Sequence, residues 1–173
     1  MPKMSDDEVQ VLLDEPGHLL RIGTVDADGT PRVVPIWFVM VDGEIVFTPR
    51  SPAVFLANIR RDARVGLSID EDPYPYRKLT VQGRARIMHE PGEDDVWRDL
   101  YRKIAYRYVD VERADAYVDG TIDQPRALIG VPLAGSVVTT WRMPLDGEDP
   151  TGIWHRRYFG DGTMMADIAD GKV

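Results

Sequence analysis

Asp42-Gly43 lies between two runs of alternating apolar and polar residues, and no other pair constrains the fold as strongly. Asp-Gly accepts the positive φ angles of a type I′ turn, whose twist matches that of two antiparallel strands. The spacing predicts a hairpin, with Arg32 to Val41 running out and Glu44 to Thr48 returning. Asp26-Ala27-Asp28-Gly29 predicts another tight turn, preceded by a strand over Leu19 to Val25. Further strands are expected over 63–70, 78–89, 126–132 and 136–142. Connections this short cannot carry the crossovers that parallel strands need. The expectation is a mainly β, α+β fold closed as an antiparallel barrel.

Helix signals are fewer and local. Ser5-Asp6-Asp7-Glu8 has the form of a capping box, and Pro16-Gly17 ends the element that follows. Ser51-Pro52 predicts a helix over 52–60, with Ser51 as N-cap and Pro52 at the first helical position. Residues 93–108 are expected to be helical, with Val96, Trp97, Leu100 and Ile104 on one face. A shorter helix is expected over 111–118. The segment from Met143 onward is rich in Gly, Asp and Pro. It reads as a tail (143–173) on a domain of 1–142, partly docked through Gly152 to Phe159.

Composition narrows the function. The 173 residues are enough for one domain with a real core, and 43% hydrophobic with 29% charged residues fits a globular chain. No apolar run approaches the ~20 residues of a membrane helix, and no secretory pattern opens the chain, so a cytoplasmic protein is expected with no membrane partner. The absence of cysteine removes thiolate chemistry, iron–sulfur clusters and the usual structural zinc sites. His18, His89 and His155 are not spaced as metal ligands, so no metal is expected. A net charge of -8 argues against general nucleic-acid binding, which depends on neutralising phosphates. Any anion must be held locally. The best place is the end of the returning strand, where Thr48, Arg50 and Ser51 precede a helix start and Arg60, Arg61 and Arg64 follow. A solvated, Ser-Pro-capped helix end would have the same residues.

Four stretches, in order, carry a resemblance: G-T-P-R-V-V-P-I-W-F, D-G-E-I-V-F-T, N-I-R-R-D-A-R-V and L-T-V-Q-G-R-A-R-I. Together they resemble the pyridoxamine 5'-phosphate oxidase-like FMN-binding split-barrel superfamily. Within it the chain is most similar to the flavin- and deazaflavin (coenzyme F420)-dependent oxidoreductases. The resemblance covers about 5–142. It implies a homodimeric antiparallel split β-barrel with short flanking helices and FMN or coenzyme F420 in each of two inter-subunit clefts. It also implies hydride transfer between the reduced cofactor and a small conjugated acceptor. A non-catalytic carrier, or a haem-binding barrel, is the alternative on the same fold.

By position, the resemblance places Val34, Pro35, Ile36 and Trp37 along the cofactor ring. Thr48, Arg50 and Ser51 fall in the phosphate-facing segment, with Asn58 and Arg60 in the N-I-R-R-D stretch. Gln82 and the loop carrying Tyr74, Tyr76 and Lys78 approach the partner's cofactor, and the last three are candidate proton donors. Barrel wall and interface filler are equally compatible with Ile36, Trp37, Tyr74 and Tyr76. Many relatives carry a phosphate-binding lysine three residues before the asparagine, where this chain has Phe55. The expectation is that the helix turns Phe55 toward the cleft mouth.

Overall fold

The computed structural model describes residues 2–148 and 160–172. Helix α1 (Asp6–Asp14) opens with the expected capping box: the Glu8 N–H donates to Ser5 Oγ, and the Ser5 N–H to the Glu8 carboxylate. Strands β1 (Leu20–Val25) and β2 (Pro31–Ile36) pair antiparallel across the Asp26–Gly29 turn. Strands β3 (Phe38–Val41) and β4 (Glu44–Phe47) form the Asp42-Gly43 hairpin, with φ angles of 48° and 79° at the two turn residues. Helix α2 (Val54–Arg61) leads into β5 (Arg64–Asp70), β6 (Lys78–Arg84) and β7 (Arg86–His89). Helices α3 (Arg98–Tyr106) and α4 (Val111–Asp119) precede β8 (Leu128–Pro132) and β9 (Val137–Trp141), and a short α5 spans Met164–Ala169.

These strands form two antiparallel sheets, in the orders β2-β1-β5-β6-β9 and β3-β4-β8-β7. The runs 32–41 and 78–89, each expected as one strand, are broken at Trp37 and Ala85. At each break the chain passes from the first sheet to the second, so the two sheets wrap one core as a split barrel. Alternation alone cannot show such a bend, because both sides of it continue the same inward-facing pattern.

The barrel core is fully apolar at its centre. Leu12, Leu20, Ile22, Phe38, Phe47, Leu56, Ile69 and Leu79 have no exposed surface. Each such side chain contributes ~1.5–3 kcal/mol of transfer free energy. A second, smaller core lies under α3 and α4, where Trp97, Tyr101, Ala105, Ala114 and Val118 pack on Val46 and Leu128. The expected face of residues 93–108 needs one correction. Asp94–Val96 is a single 3₁₀ turn ahead of α3, and the change of pitch leaves Val96 75% exposed while Trp97 and Ile104 are buried.

The segment after β9 is held by Arg142, which is buried and pairs with Glu8 and bidentately with Glu148. The docking expected of 152–159 lies outside the described residues. Among the described residues, no helix is long and apolar enough to cross a membrane.

Candidate functional site

The two cores meet at a cleft of about 490 Å³. One wall is the edge strand β2, whose Val34, Pro35 and Ile36 lead to Trp37 at the sheet-to-sheet bend. Trp37 is fixed there by aromatic neighbours. Its ring stacks on Tyr108 at 5.0 Å with 4° between planes, and it meets Tyr117 edge-on at 5.7 Å. The Tyr108 hydroxyl is held in turn between the Phe38 N–H and the His18 carbonyl. Phe55 and Ala53 also line the cleft.

The far end of the cleft is built by a short backbone pairing. After β4 the chain runs antiparallel to the residues entering β8. The Ser51 N–H donates to the Pro125 carbonyl at 2.8 Å and the Ala127 N–H to the Pro49 carbonyl at 3.0 Å. Arg50 and Arg126 are therefore directly opposite each other as bridge partners. Both guanidiniums donate to one atom, the Tyr117 hydroxyl oxygen, each at 3.2 Å. Arg126 also lies over the Tyr101 ring at 4.6 Å. The carboxylate of buried Asp94 accepts the Arg126 backbone N–H at 2.9 Å.

This pairing also explains a correction. Ser51 is an exposed turn residue and not an N-cap, and Pro52 is not helical. The Ser51 N–H is committed to Pro125, and the Ala53 N–H donates to the Arg50 carbonyl, closing a turn. Helix α2 can start only after that turn, so its N-cap is Ala53, with no side-chain cap.

The electrostatics of the far end follow from its burial. Burial pushes the Tyr101 hydroxyl well above the usual phenol range, and it makes no hydrogen bond of ordinary geometry. Burial also raises Tyr117, but the Tyr101 hydroxyl and the two guanidiniums outweigh it and hold that phenol below its ordinary value. Arg126 is 5% exposed, and its Nε–H has no acceptor among the described residues. The cleft thus combines in its lining apolar side chains of β2 with a donor, the Arg126 Nε–H, that has no acceptor among the described residues. Its volume lies in the ~300–1,000 Å³ range of small-molecule sites. A cofactor with a planar ring and an anionic tail fits that donor set.

Of the residues singled out in the sequence, Val34, Pro35, Ile36, Trp37, Thr48, Arg50 and Phe55 line this cleft. Phe55 is at the same time part of the barrel core and is 7% exposed, so it is not turned to the cleft mouth. Ser51, Asn58, Arg60, Gln82, Tyr74, Tyr76 and Lys78 do not line it within this chain. Asn58 is buried and donates to Thr24 Oγ1 and the Asp26 carboxylate, which ties α2 to β1 and its turn. The bonds from Arg32 and, next, from Asn58 hold the Asp26 carboxyl down at about 2. Arg60 pairs with Glu90. Arg61 donates to Asn58 and to the Val25 carbonyl, while Asp62 pairs with Arg64. Gln82 is exposed on the outer face of the five-stranded sheet, opposite Gly66 and Val137. Tyr74 and Tyr76 are exposed and in edge contact at 5.8 Å, and Lys78 lies over Trp141.

Sequence reasoning missed Tyr101, Tyr117 and Arg126. The one available signal was Arg126 itself, a charge heading an otherwise apolar run into β8.

Comparison with known proteins agrees with this architecture. No curated protein matches the chain. Among solved structures, a conserved hypothetical protein of Mycobacterium tuberculosis superposes with a TM-score of 0.64 at 21% identity, covering 84% of this chain and 92% of that one. The haem-storage protein HutZ of Vibrio cholerae gives 0.58 at 21% identity, covering 78% and 94%. A protein named F420 reductase gives 0.53 at 25% identity, covering 76% and 94%. The family model for pyridoxamine 5'-phosphate oxidase matches residues 5–133, from α1 through β8, including every residue of the cleft. On that match and this fold, the chain belongs to the pyridoxamine 5'-phosphate oxidase family.

Proposed function

We propose that the chain is a flavin- or deazaflavin-dependent oxidoreductase that binds FMN or coenzyme F420 and passes a hydride to a small conjugated acceptor. The observation that carries this reading is the cleft itself, whose lining combines an apolar strand edge with two guanidiniums that have no carboxylate partner among the described residues. The bound cofactor would supply the hydride chemistry, and the chain would supply position, charge and exclusion of water. Val34 to Trp37 would lie along the ring, and Arg50 and Arg126 would hold the anionic tail. Phe38 and Phe47, both fully buried, keep the strand edges beneath the cleft fixed.

The reading includes a cytoplasmic homodimer. A second copy on the outer face of the five-stranded sheet would cover Gln82 and bring the loop with Tyr74, Tyr76 and Lys78 toward the other cleft. That loop holds the candidate proton donors for the acceptor. A carrier would use the same cleft without turnover. Haem storage would need an axial histidine in the cleft, and among the described residues neither His18 nor His89 lines it.

Absorption and mass spectrometry of the purified protein, alone and after incubation with FMN, coenzyme F420 or haem, test the reading. A bound flavin or deazaflavin is expected, and retention of haem alone would sink it. Replacing Arg50 by Ala should weaken FMN by ~1.5–3 kcal/mol, the range for a charge-assisted hydrogen bond, while riboflavin binding hardly changes. Equal losses for both ligands would assign Arg50 to the fold.

A further inference from the structure

The like-charged pair at the end of the cleft is unusual for a chain of net charge -8. Two cations directly opposite each other across an antiparallel pairing are destabilising. Many other arginines meet carboxylates, among them Arg21, Arg32, Arg64, Arg77, Arg86 and Arg102, while Arg61 and Arg107 donate to amide or backbone carbonyl oxygens. Arg50 and Arg126 instead converge on one neutral phenol oxygen. Arg126 is also buried, with an Nε–H that has no acceptor, next to a buried Tyr101 hydroxyl that has none. All four side chains line the cleft. Phe55, which also lines the cleft, brings no charge to it.

We infer that Arg50 and Arg126 form a two-cation clamp for one terminal phosphate monoester, with Arg126 supplying, from the residues just ahead of β8, the charge that α2 does not bring to the cleft. The inference rests on the cofactor reading above and narrows it, favouring FMN over ligands whose phosphate is a diester. A monoester near pH 7 carries close to two negative charges, which matches two guanidiniums aimed at a single point. A diester carries one charge and must continue past the phosphate. Here the aromatic rings of Tyr101 and Tyr117 stand at that point. One phosphate oxygen would take the place that the Tyr117 hydroxyl now has between the guanidiniums, and another would meet the Arg126 Nε–H. The Tyr101 hydroxyl would donate to the same group.

The test compares three ligands with one ring on the unmodified protein: FMN, riboflavin 4',5'-cyclic phosphate and riboflavin. The cyclic ester has almost the size of FMN but one charge fewer. FMN is expected to bind about tenfold tighter than the cyclic ester and about a hundredfold tighter than riboflavin. The preference for FMN over the cyclic ester should shrink as pH falls from 7 to 5, because the dianionic monoester takes up a proton near pH ~6 and becomes a monoanion. Taking the ratio of the two ligands cancels any titration of the protein. Arg126→Gln should remove most of the preference and its pH dependence while leaving riboflavin unchanged. Equal affinity for FMN and the cyclic ester would overturn the clamp and leave flavin binding intact.

A separate arm uses inorganic phosphate and thermal unfolding, with no flavin present. Stabilisation of the unmodified protein by phosphate, lost in Arg126→Gln, supports the clamp even if no flavin binds, and in that case the cofactor reading is what fails. No response to phosphate together with no preference for FMN overturns the clamp.

Discussion

Arg77 and Arg126 are both largely buried guanidiniums, and the chain treats them in opposite ways. Arg77, on the loop between β5 and β6, meets Glu71 at 2.6 Å and Glu15 at 2.5 Å, with His18 beside Glu15. Burial raises the Glu71 carboxyl, and the bonds from Arg77 more than offset it, so the group stays below its ordinary value. Its charge is balanced within the chain, joining the end of α1 to the strand-connecting loop. Arg126 has a phenol, a carbonyl contact at 3.5 Å and an aromatic face, but no carboxylate partner among the described residues. A buried arginine with its counter-charges built in is a structural element, whereas one without them is suited to an anion from outside.

The comparison breaks first, and most heavily, at Arg77. Arg77→Met leaves Glu71 buried and Glu15 half-buried with no cation between them. Removing one partner of a buried ion pair costs ~3–5 kcal/mol, because the remaining charge is uncompensated. Urea unfolding should show a loss of that size, with FMN affinity unchanged in the protein that remains folded. A loss below ~1 kcal/mol would mean that Arg77 is solvated and not interior in its energetics.

The same contrast separates what the sequence could reveal from what it could not. The hairpins were legible because Asp42-Gly43 and Asp26–Gly29 determine turn geometry within four residues. The α1 capping box was legible for the same reason. The breaks at Trp37 and Ala85 were not, since a bend between sheets is imposed by barrel closure and leaves no gap in alternation. Half of the cleft was legible, namely β2 and the end of β4, because those stretches are contiguous and resemble a family pattern. Asn58 lies in the same pattern yet faces β1 and Thr24, since a helix places neighbouring residues on different sides. The remaining cleft residues come from α3, α4 and the approach to β8. No local period links Trp37 to residues 101, 117 and 126.

Phe55 is where the pattern and the packing disagree most directly, and a smaller effect is expected there. Phe55→Lys removes an aromatic side chain from the barrel core and brings in an ammonium. The lysine stem can follow the apolar wall and place its charge at the cleft edge, which limits the penalty. A destabilisation of ~2–3 kcal/mol is expected from thermal or urea unfolding. A loss under ~0.5 kcal/mol would place residue 55 in the open wall and make it a possible phosphate ligand after all.

The smallest effect, and the one that sharpens the comparison furthest, is expected at Arg126. Arg126→Met removes a hydrogen bond to Tyr117, a long contact to the Thr48 carbonyl and the interaction with the Tyr101 face. A cation–π contact of this kind contributes ~0.5–2 kcal/mol, and a hydrogen bond adds about 1. Against these stand the cost of burying an unbalanced charge and its repulsion of Arg50, both of which the substitution relieves. The Tyr117 hydroxyl also keeps a donor, because Arg50 remains. Replacing buried ionic groups by apolar ones of similar volume is often neutral or favourable. The net change in unfolding free energy should therefore stay within ~1 kcal/mol in ligand-free buffer, measured by urea titration. Added inorganic phosphate should raise the stability of the unmodified protein and not that of the variant. A loss of ~3 kcal/mol or more without ligand would put Arg126 in the same class as Arg77. The cleft would then have one cation available for an anion, not two.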